Sequence, residues 1–171
     1  MDSIINSSTN VHNEFLNSGS DEFLNVERSP DDIAVIMYTS ASSFQPKGVM
    51  LSHYSLVKEA IMSSDGYDQT ENDIMVLFAL PMFHVYGLVA AALSTIYTGG
   101  TIILVPGTGL SIKSFMSAIE REKGTMFLGV PYIFALVVDM AKKDGIQDDL
   151  SSLRLCASCL LYTSPSPRDR S

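Results

Sequence analysis

The sequence predicts an α/β fold in which alternating strands and helices form part of a largely parallel, multilayer sheet domain. Three observations carry this expectation. Short, almost wholly apolar runs of strand length alternate with longer stretches of helical apolar spacing. Breaks rich in Gly, Pro, Ser and Asp separate them. With 171 residues, 46% of them hydrophobic, a single domain can bury roughly 70% of its unfolded surface.

Residues 1–30 are rich in Ser, Asn, Asp and Glu without sustained period, and are expected to be a poorly structured polar lead-in. Ile33 to Tyr38 has the composition of a strand covered on both faces. Ser52 is a candidate N-cap for a helix carrying Leu56, Val57, Ala60 and Ile61. Ile74 to Leu80 reads as a strand and Val85 to Thr98 as a buried helix, stopped by Gly99 and Gly100 before the strand Thr101 to Val105. Pro106, Gly107 and Gly109 mark a loop. Ser111 to Lys123 is amphipathic, with Ile112, Phe115, Met116 and Ile119 on one face. Thr125 to Val130 is the next strand, Pro131 opens a helix to about Lys143, and Leu153 to Ala157 is a final short strand. Strands joined by helices in this order imply parallel pairing.

Thr163 to Ser171 is a low-complexity run with nothing to bury. It resembles translated sequencing-adapter sequence, so residues 159–171 are expected to be a non-native tail. The formal net charge is −8, which disfavours nucleic acid as a partner. Two cysteines and no signal-like N-terminus favour a cytoplasmic protein. Ile74 to Thr98 runs 25 residues without a charge, long enough to span a bilayer. Pro81, His84 and Gly87 in its middle instead favour strand, turn and buried helix, so no transmembrane segment is expected. Peripheral membrane association stays open.

The most informative segment runs from Tyr38 to His53. Its hydroxyls on Thr39, Ser40, Ser42 and Ser43, its backbone N–H groups and Lys47 can hold phosphate oxygens, the lysine as a mobile point charge. Placed between a strand and a helix, it would lie where open α/β sheets bind ligands. The order Pro46-Lys47-Gly48 lacks the leading glycine of a Walker A loop and excludes that fold. From chemistry alone, a Ser-rich surface turn fits equally well.

Asp32-Ile33-Ala34-Val35-Ile36-Met37-Tyr38-Thr39-Ser40 followed by Pro46-Lys47-Gly48-Val49-Met50-Leu51-Ser52-His53 resembles the phosphate-binding signature of the adenylate-forming acyl-CoA synthetases, the AMP-binding family. Pro81-Met82-Phe83-His84-Val85-Tyr86-Gly87-Leu88 is similar to that family's aromatic and histidine motif. Leu128-Gly129-Val130-Pro131 and Leu153-Arg154-Leu155-Cys156-Ala157-Ser158 resemble the approach to its acyl and adenine pockets. The likeness covers about Pro30 to Ser158, so residues 31–158 would be part of the family's large N-terminal domain.

The resemblance implies a two-step reaction. A carboxylic acid attacks the α-phosphate of ATP, giving an acyl-adenylate and pyrophosphate, and the thiol of coenzyme A then takes the acyl group. Catalysis would be chiefly positioning and charge stabilisation. By carry-over, Thr39, Ser40, Ala41, Ser42, Ser43, Lys47 and Gly48 form the phosphate loop, with Mg²⁺ shared between phosphate oxygens and protein. His84 would orient the carboxylate and gate the second step. A lone histidine beside Phe83 and Tyr86 also fits a satisfied core residue. Phe83, Tyr86, Gly87, Gly129 and Val130 would wall the acyl pocket of a fatty or aryl acid. An amino-acid-adenylating domain is the nearest enzyme rival, and a non-catalytic remnant binding nucleotide or a partner is the alternative of another class.

Two departures bear on function. The family has glycine at the positions of Ala41 and Phe44. If those positions need φ > 0, each change costs about 1–2 kcal/mol, weakening nucleotide binding roughly ten- to hundredfold. Beyond Ser158 the likeness stops, before the adenine, ribose and acidic metal-binding motifs, so this polypeptide alone is expected to be inactive. Cys156-Ala157-Ser158-Cys159 lacks a second ligand pair for zinc, and Cys156 reads as a buried strand residue. No protein-held metal is expected. His12 and His53 receive no role, and Asp148, Asp149, Lys142 and Lys143 read as solvated charges.

Overall fold

In the computed structural model, residues 26–39, 46–105 and 111–158 are described. The elements are β1 (Ile33–Tyr38), β2 (Gly48–Ser52), α1 (His53–Gly66), β3 (Ile74–Leu77), a π-helix (Tyr86–Leu93), α2 (Ser94–Thr98), β4 (Thr101–Leu104), α3 (Ile112–Glu122), β5 (Met126–Gly129), α4 (Pro131–Asp144) and β6 (Leu155–Ser158). The strands β4-β3-β5-β6 form a parallel sheet. That is the predicted arrangement, with helices between successive strands.

Alternation along the strands divides the core in two. Val76, Phe78 and Phe127 point to one face and meet Ile112, Phe115, Met116 and Ile119 of α3 and Ile133 of α4. Met75, Leu77, Met126 and Leu128 point to the other and meet Ala91 and Ala92 of the π-helix. The sheet is therefore the middle of three layers. Phe115 is the keystone of the first face, its ring 4.8 Å from that of Phe78 and 4.5 Å from that of Phe127. Phe115→Ala is expected to cost about 3–5 kcal/mol of unfolding free energy in denaturant titrations. A loss under about 1 kcal/mol would mean that the site collapses without a cavity.

Local signals set the helix ends. The Ser52 side chain accepts from the Ser55 N–H, the N-cap predicted, and that of Ser111 accepts from the Ser114 N–H in the same way at the start of α3. Pro131 occupies the first turn of α4. Gly99, at φ 76°, ends α2 in the left-handed conformation that glycine adopts without steric cost.

Three expectations are corrected. β1 does not join the parallel sheet: it pairs antiparallel with β2, Ile36 opposite Met50 and Tyr38 opposite Gly48. Its side chains are exposed or half-buried instead of being covered on both faces. β3 ends at Leu77, not Leu80, because Ala79 turns to φ 54° and cannot continue the ladder, although Phe78 and Leu80 stay buried. Cys156 is exposed on β6. Residues 1–25 of the predicted lead-in, most of the phosphate loop, the Pro106–Gly109 loop and the tail lie outside the described residues.

The uncharged stretch from Ile74 to Thr98 is divided among β3, a turn, the π-helix and α2. Among the described residues, no helix is long and apolar enough to cross a membrane.

Candidate functional site

Strand order locates the crevice. From β3 the chain crosses to β4 on one side, then returns past β3 to β5 and on to β6 on the other. The direction of winding reverses between β3 and β5, and open α/β sheets bind ligands beyond the carboxyl ends of strands at such a point. Two of the sequence motifs emerge there. The segment Phe78 to Val85 leaves β3, while Gly129 ends β5 opposite Ser158 of β6, with Val130 beginning the turn into α4.

The segment after β3 is tightly held. The His84 N–H donates to the Pro81 carbonyl at 3.0 Å, and the Leu88 N–H donates to the His84 carbonyl at 2.9 Å. Gly87 is buried against this turn. A Cβ there would run into the Pro81 carbonyl oxygen and lie 3.1 Å from that of Leu80. The Tyr86 hydroxyl donates to the Ala157 carbonyl at 3.3 Å, tying the segment to β6. Gly129 likewise has no room for a side chain, since a Cβ would lie 2.7 Å from the Phe127 ring.

The π-helix that follows has one residue more per turn than sequence periodicity suggests, a feature common at functional sites. Where it gives way to α2, the buried Ser94 hydroxyl bonds the Ala90 carbonyl at 2.8 Å and that of Thr95 bonds the Ala91 carbonyl at 2.7 Å. These side chains satisfy backbone acceptors at the change of register.

The β1–β2 hairpin supplies the other wall. Thr39 and Lys47 pair across its mouth: the Thr39 N–H donates to the Lys47 carbonyl at 3.0 Å and the Lys47 N–H to Thr39 Oγ1 at 3.3 Å. The chain on either side of Ser40, Ala41, Ser42 and Ser43 is thus an antiparallel strand pair, not the strand-to-helix passage expected. Those residues lie outside the described ones, and Phe44 with them. Gly48 begins β2, where a Cβ would lie 3.1 Å from the Ile36 side chain.

Between hairpin and sheet lies a cavity of about 500 Å³ lined by Met37, Tyr38, Thr39, Val49, Leu51, Phe83, His84 and Val85. It brings Thr39 from the hydroxyl-rich loop together with Phe83 and His84 from the segment after β3. Phe83 is 86% exposed and His84 is exposed, so neither is a satisfied core residue. Tyr86, Gly87, Gly129 and Val130 are not among its lining residues: they pack the base of the His84 segment and the adjoining end of β5. Sequence reasoning missed Met37, Tyr38, Val49 and Leu51 as wall residues, because only the antiparallel pairing of β1 with β2 brings them to the side of His84.

At the opposite, amino-terminal ends of the strands sits a polar cluster. Asp73 accepts from Arg154 Nε at 2.7 Å and Nη2 at 2.6 Å, from the Thr125 hydroxyl at 2.8 Å and from the Thr70 N–H at 2.8 Å. The hydrogen bonds from Arg154 hold the Asp73 carboxyl well below the usual carboxylate range, against the opposing effect of burial, with Thr70 and Thr125 assisting. This pair clamps the starts of β3, β5 and β6 together. It is structural, remote from the crevice. Of the charges read as solvated, Asp148 is half-buried and accepts from the Ser117 hydroxyl at 2.7 Å.

A parallel sheet with its loops gathered at a switch point defines a ligand-binding α/β domain. The AMP-binding enzyme family model matches residues 3–168, and the chain belongs to that family. It is 34% identical over 137 residues to 4-coumarate–CoA ligase 1 of Arabidopsis thaliana, covering 78% of this chain and 24% of the ligase. A long-chain-fatty-acid-CoA ligase from Archaeoglobus fulgidus superposes with a TM-score of 0.76 at 30% identity, covering 90% of this chain and 30% of that one. An anthranilate CoA ligase solved with anthranoyl-AMP superposes with a TM-score of 0.75 at 28% identity, covering 85% and 28%. The chain therefore spans less than a third of the length of each.

Proposed function

We propose that this chain is part of an acyl-CoA synthetase of the cytoplasm that activates a fatty or aryl carboxylic acid. The acid's oxygen attacks the α-phosphorus of ATP and displaces pyrophosphate. The coenzyme A thiol then attacks the acyl carbon and releases AMP, the thiol proton passing to solvent. The supporting observation is the cavity that joins Thr39 to Phe83 and His84. A phosphate-holding loop and a carboxylate-orienting side chain must face one space if their ligands are to react, and effective molarity then supplies much of the rate.

In this reading Thr39, Ser40, Ala41, Ser42, Ser43, Lys47 and Gly48 hold the phosphates of the Mg²⁺–ATP substrate, and His84 meets the carboxylate. Phe83 and the apolar residues around it take the acyl group, while Tyr86, Gly87, Gly129 and Val130 shape the floor. The names of the similar proteins, with coumarate, anthranilate and long-chain fatty acid, favour this branch over amino acids. Residues 31–158 carry the part of the domain involved, and by themselves are not expected to turn over.

Acid-dependent exchange of labelled pyrophosphate into ATP tests the reading on the complete enzyme. Exchange is expected with aryl or fatty acids, and Lys47→Ala is expected to weaken ATP about tenfold by removing a charge-assisted phosphate contact. Exchange driven only by amino acids, or by no acid at all, would contradict it.

A further inference from the structure

His84 has a second set of contacts whose chemistry reaches beyond its place in the cavity. The Tyr86 N–H lies 3.2 Å from Nδ1 of His84. A backbone N–H can only donate, so Nδ1 accepts, and a neutral imidazole then carries its one proton on Nε2. In this contact a side-chain acceptor meets the N–H two residues on, where the chain enters the π-helix. Nε2 has no hydrogen-bond partner among the described residues.

We propose that Tyr86 is a positioning residue for His84, holding the imidazole in its Nε2–H form so that it meets a carboxylate oxygen as a neutral donor. Tyr86 can do this because it is itself fixed. Its hydroxyl reaches the Ala157 carbonyl of β6, its ring packs on the core around Met75, Leu77 and Leu128, and the next residue, Gly87, is seated on the Pro81 carbonyl. The imidazole is thereby referenced to the sheet through Tyr86, although His84 is exposed. In this form Nε2 cannot accept a proton while it donates. His84 accordingly orients the acid and is not its general base. The choice of a carboxylate as ligand rests on the function proposed above; the tautomer does not.

The test uses the ¹⁵N-labelled ligand-free protein, with the His84 ring assigned by its loss in His84→Asn. The expected spectrum of the neutral form shows Nδ1 bare and Nε2 protonated. A proton on Nδ1, or a rapidly averaged mixture of tautomers, would overturn the proposal. A second arm separates the Nδ1 hydrogen bond from packing. The Asn oxygen reproduces the position of Nδ1, whereas Gln reaches only that of Nε2. His84→Asn is expected to leave the folded-to-unfolded ratio within about twofold, and His84→Gln to lower it about fivefold. Equal effects of the two would overturn the role of the Nδ1 hydrogen bond. Both readouts are taken without ATP or acid, so a failure of acid activation would refute the proposed function while leaving the tautomer result standing.

Discussion

Gly87→Ala is expected to cost both stability and activity, although Gly to Ala within a helix ordinarily stabilises by about 0.5–1 kcal/mol. The sign reverses because the new methyl would meet the carbonyls of Pro81 and Leu80, which are backbone and cannot step aside alone. Relief requires the turn from Leu80 to His84 to move, at a cost of about 1–3 kcal/mol for overpacking. That movement carries His84 away from the cavity it lines. A displacement of an ångström at a reacting group lowers turnover on the order of a hundredfold, so acid-dependent ATP–pyrophosphate exchange should fall by that factor while the protein still melts cooperatively. A variant that is more stable and fully active would show that the close approach at Gly87 positions nothing.

Asp73→Ala is expected to be the most destabilising single change at the far end of the sheet. Asp73 is 3% exposed, and its removal takes the acceptor from the Thr125 hydroxyl, the Thr70 N–H and Arg154 Nε, while the Arg154 Nη atoms keep the Tyr67 and Asp68 carbonyls. Breaking a buried pair costs about 3–5 kcal/mol. Arg154 is 38% exposed at its side chain, where water can solvate it after the loss, so about 2–3 kcal/mol is the better expectation. The pair also predicts an acid limb in the stability profile. The folded pKa of Asp73 lies below its unfolded value of about 3.9, so its contribution is complete above about pH 5 and is lost as pH falls through the folded value. Urea melts at pH 7 and pH 3 check this: Asp73→Asn should lose stability at pH 7 and show a smaller further loss at pH 3 than the parent protein. Parallel acid profiles would contradict the assignment.

The parts of this fold that follow local rules were legible in the residues. Ser52 caps one helix, Gly99 closes another and Pro131 opens a third because each acts within its own turn of backbone. The alternation of strands and helices likewise yields the parallel sheet. What was not legible depends on partners far along the chain. Gly48 to Ser52 was read as the approach to a helix, because a five-residue strand after Pro46 has too little period to declare itself and gains its identity only by pairing with β1. The π-helix gave no signal, since Tyr86 to Leu93 is uniformly apolar and any helical period fits it. Arg154 and Asp73 stand 81 residues apart, and no spacing rule joins them. Of the site, the motif resemblance placed Thr39, Phe83 and His84 in one reading, and the cavity unites those three. Most of its apolar wall came from the hairpin.

The central claim, that the acid is activated on the α-phosphorus of ATP, is tested most directly by labelling both oxygens of the carboxylic acid with ¹⁸O and following one turnover of the complete enzyme with coenzyme A. Attack by the carboxylate oxygen at that phosphorus keeps the oxygen on AMP when the thiol takes the acyl carbon. One ¹⁸O is expected in AMP and none in pyrophosphate. Label appearing in inorganic phosphate, or in neither phosphorus product, would contradict it.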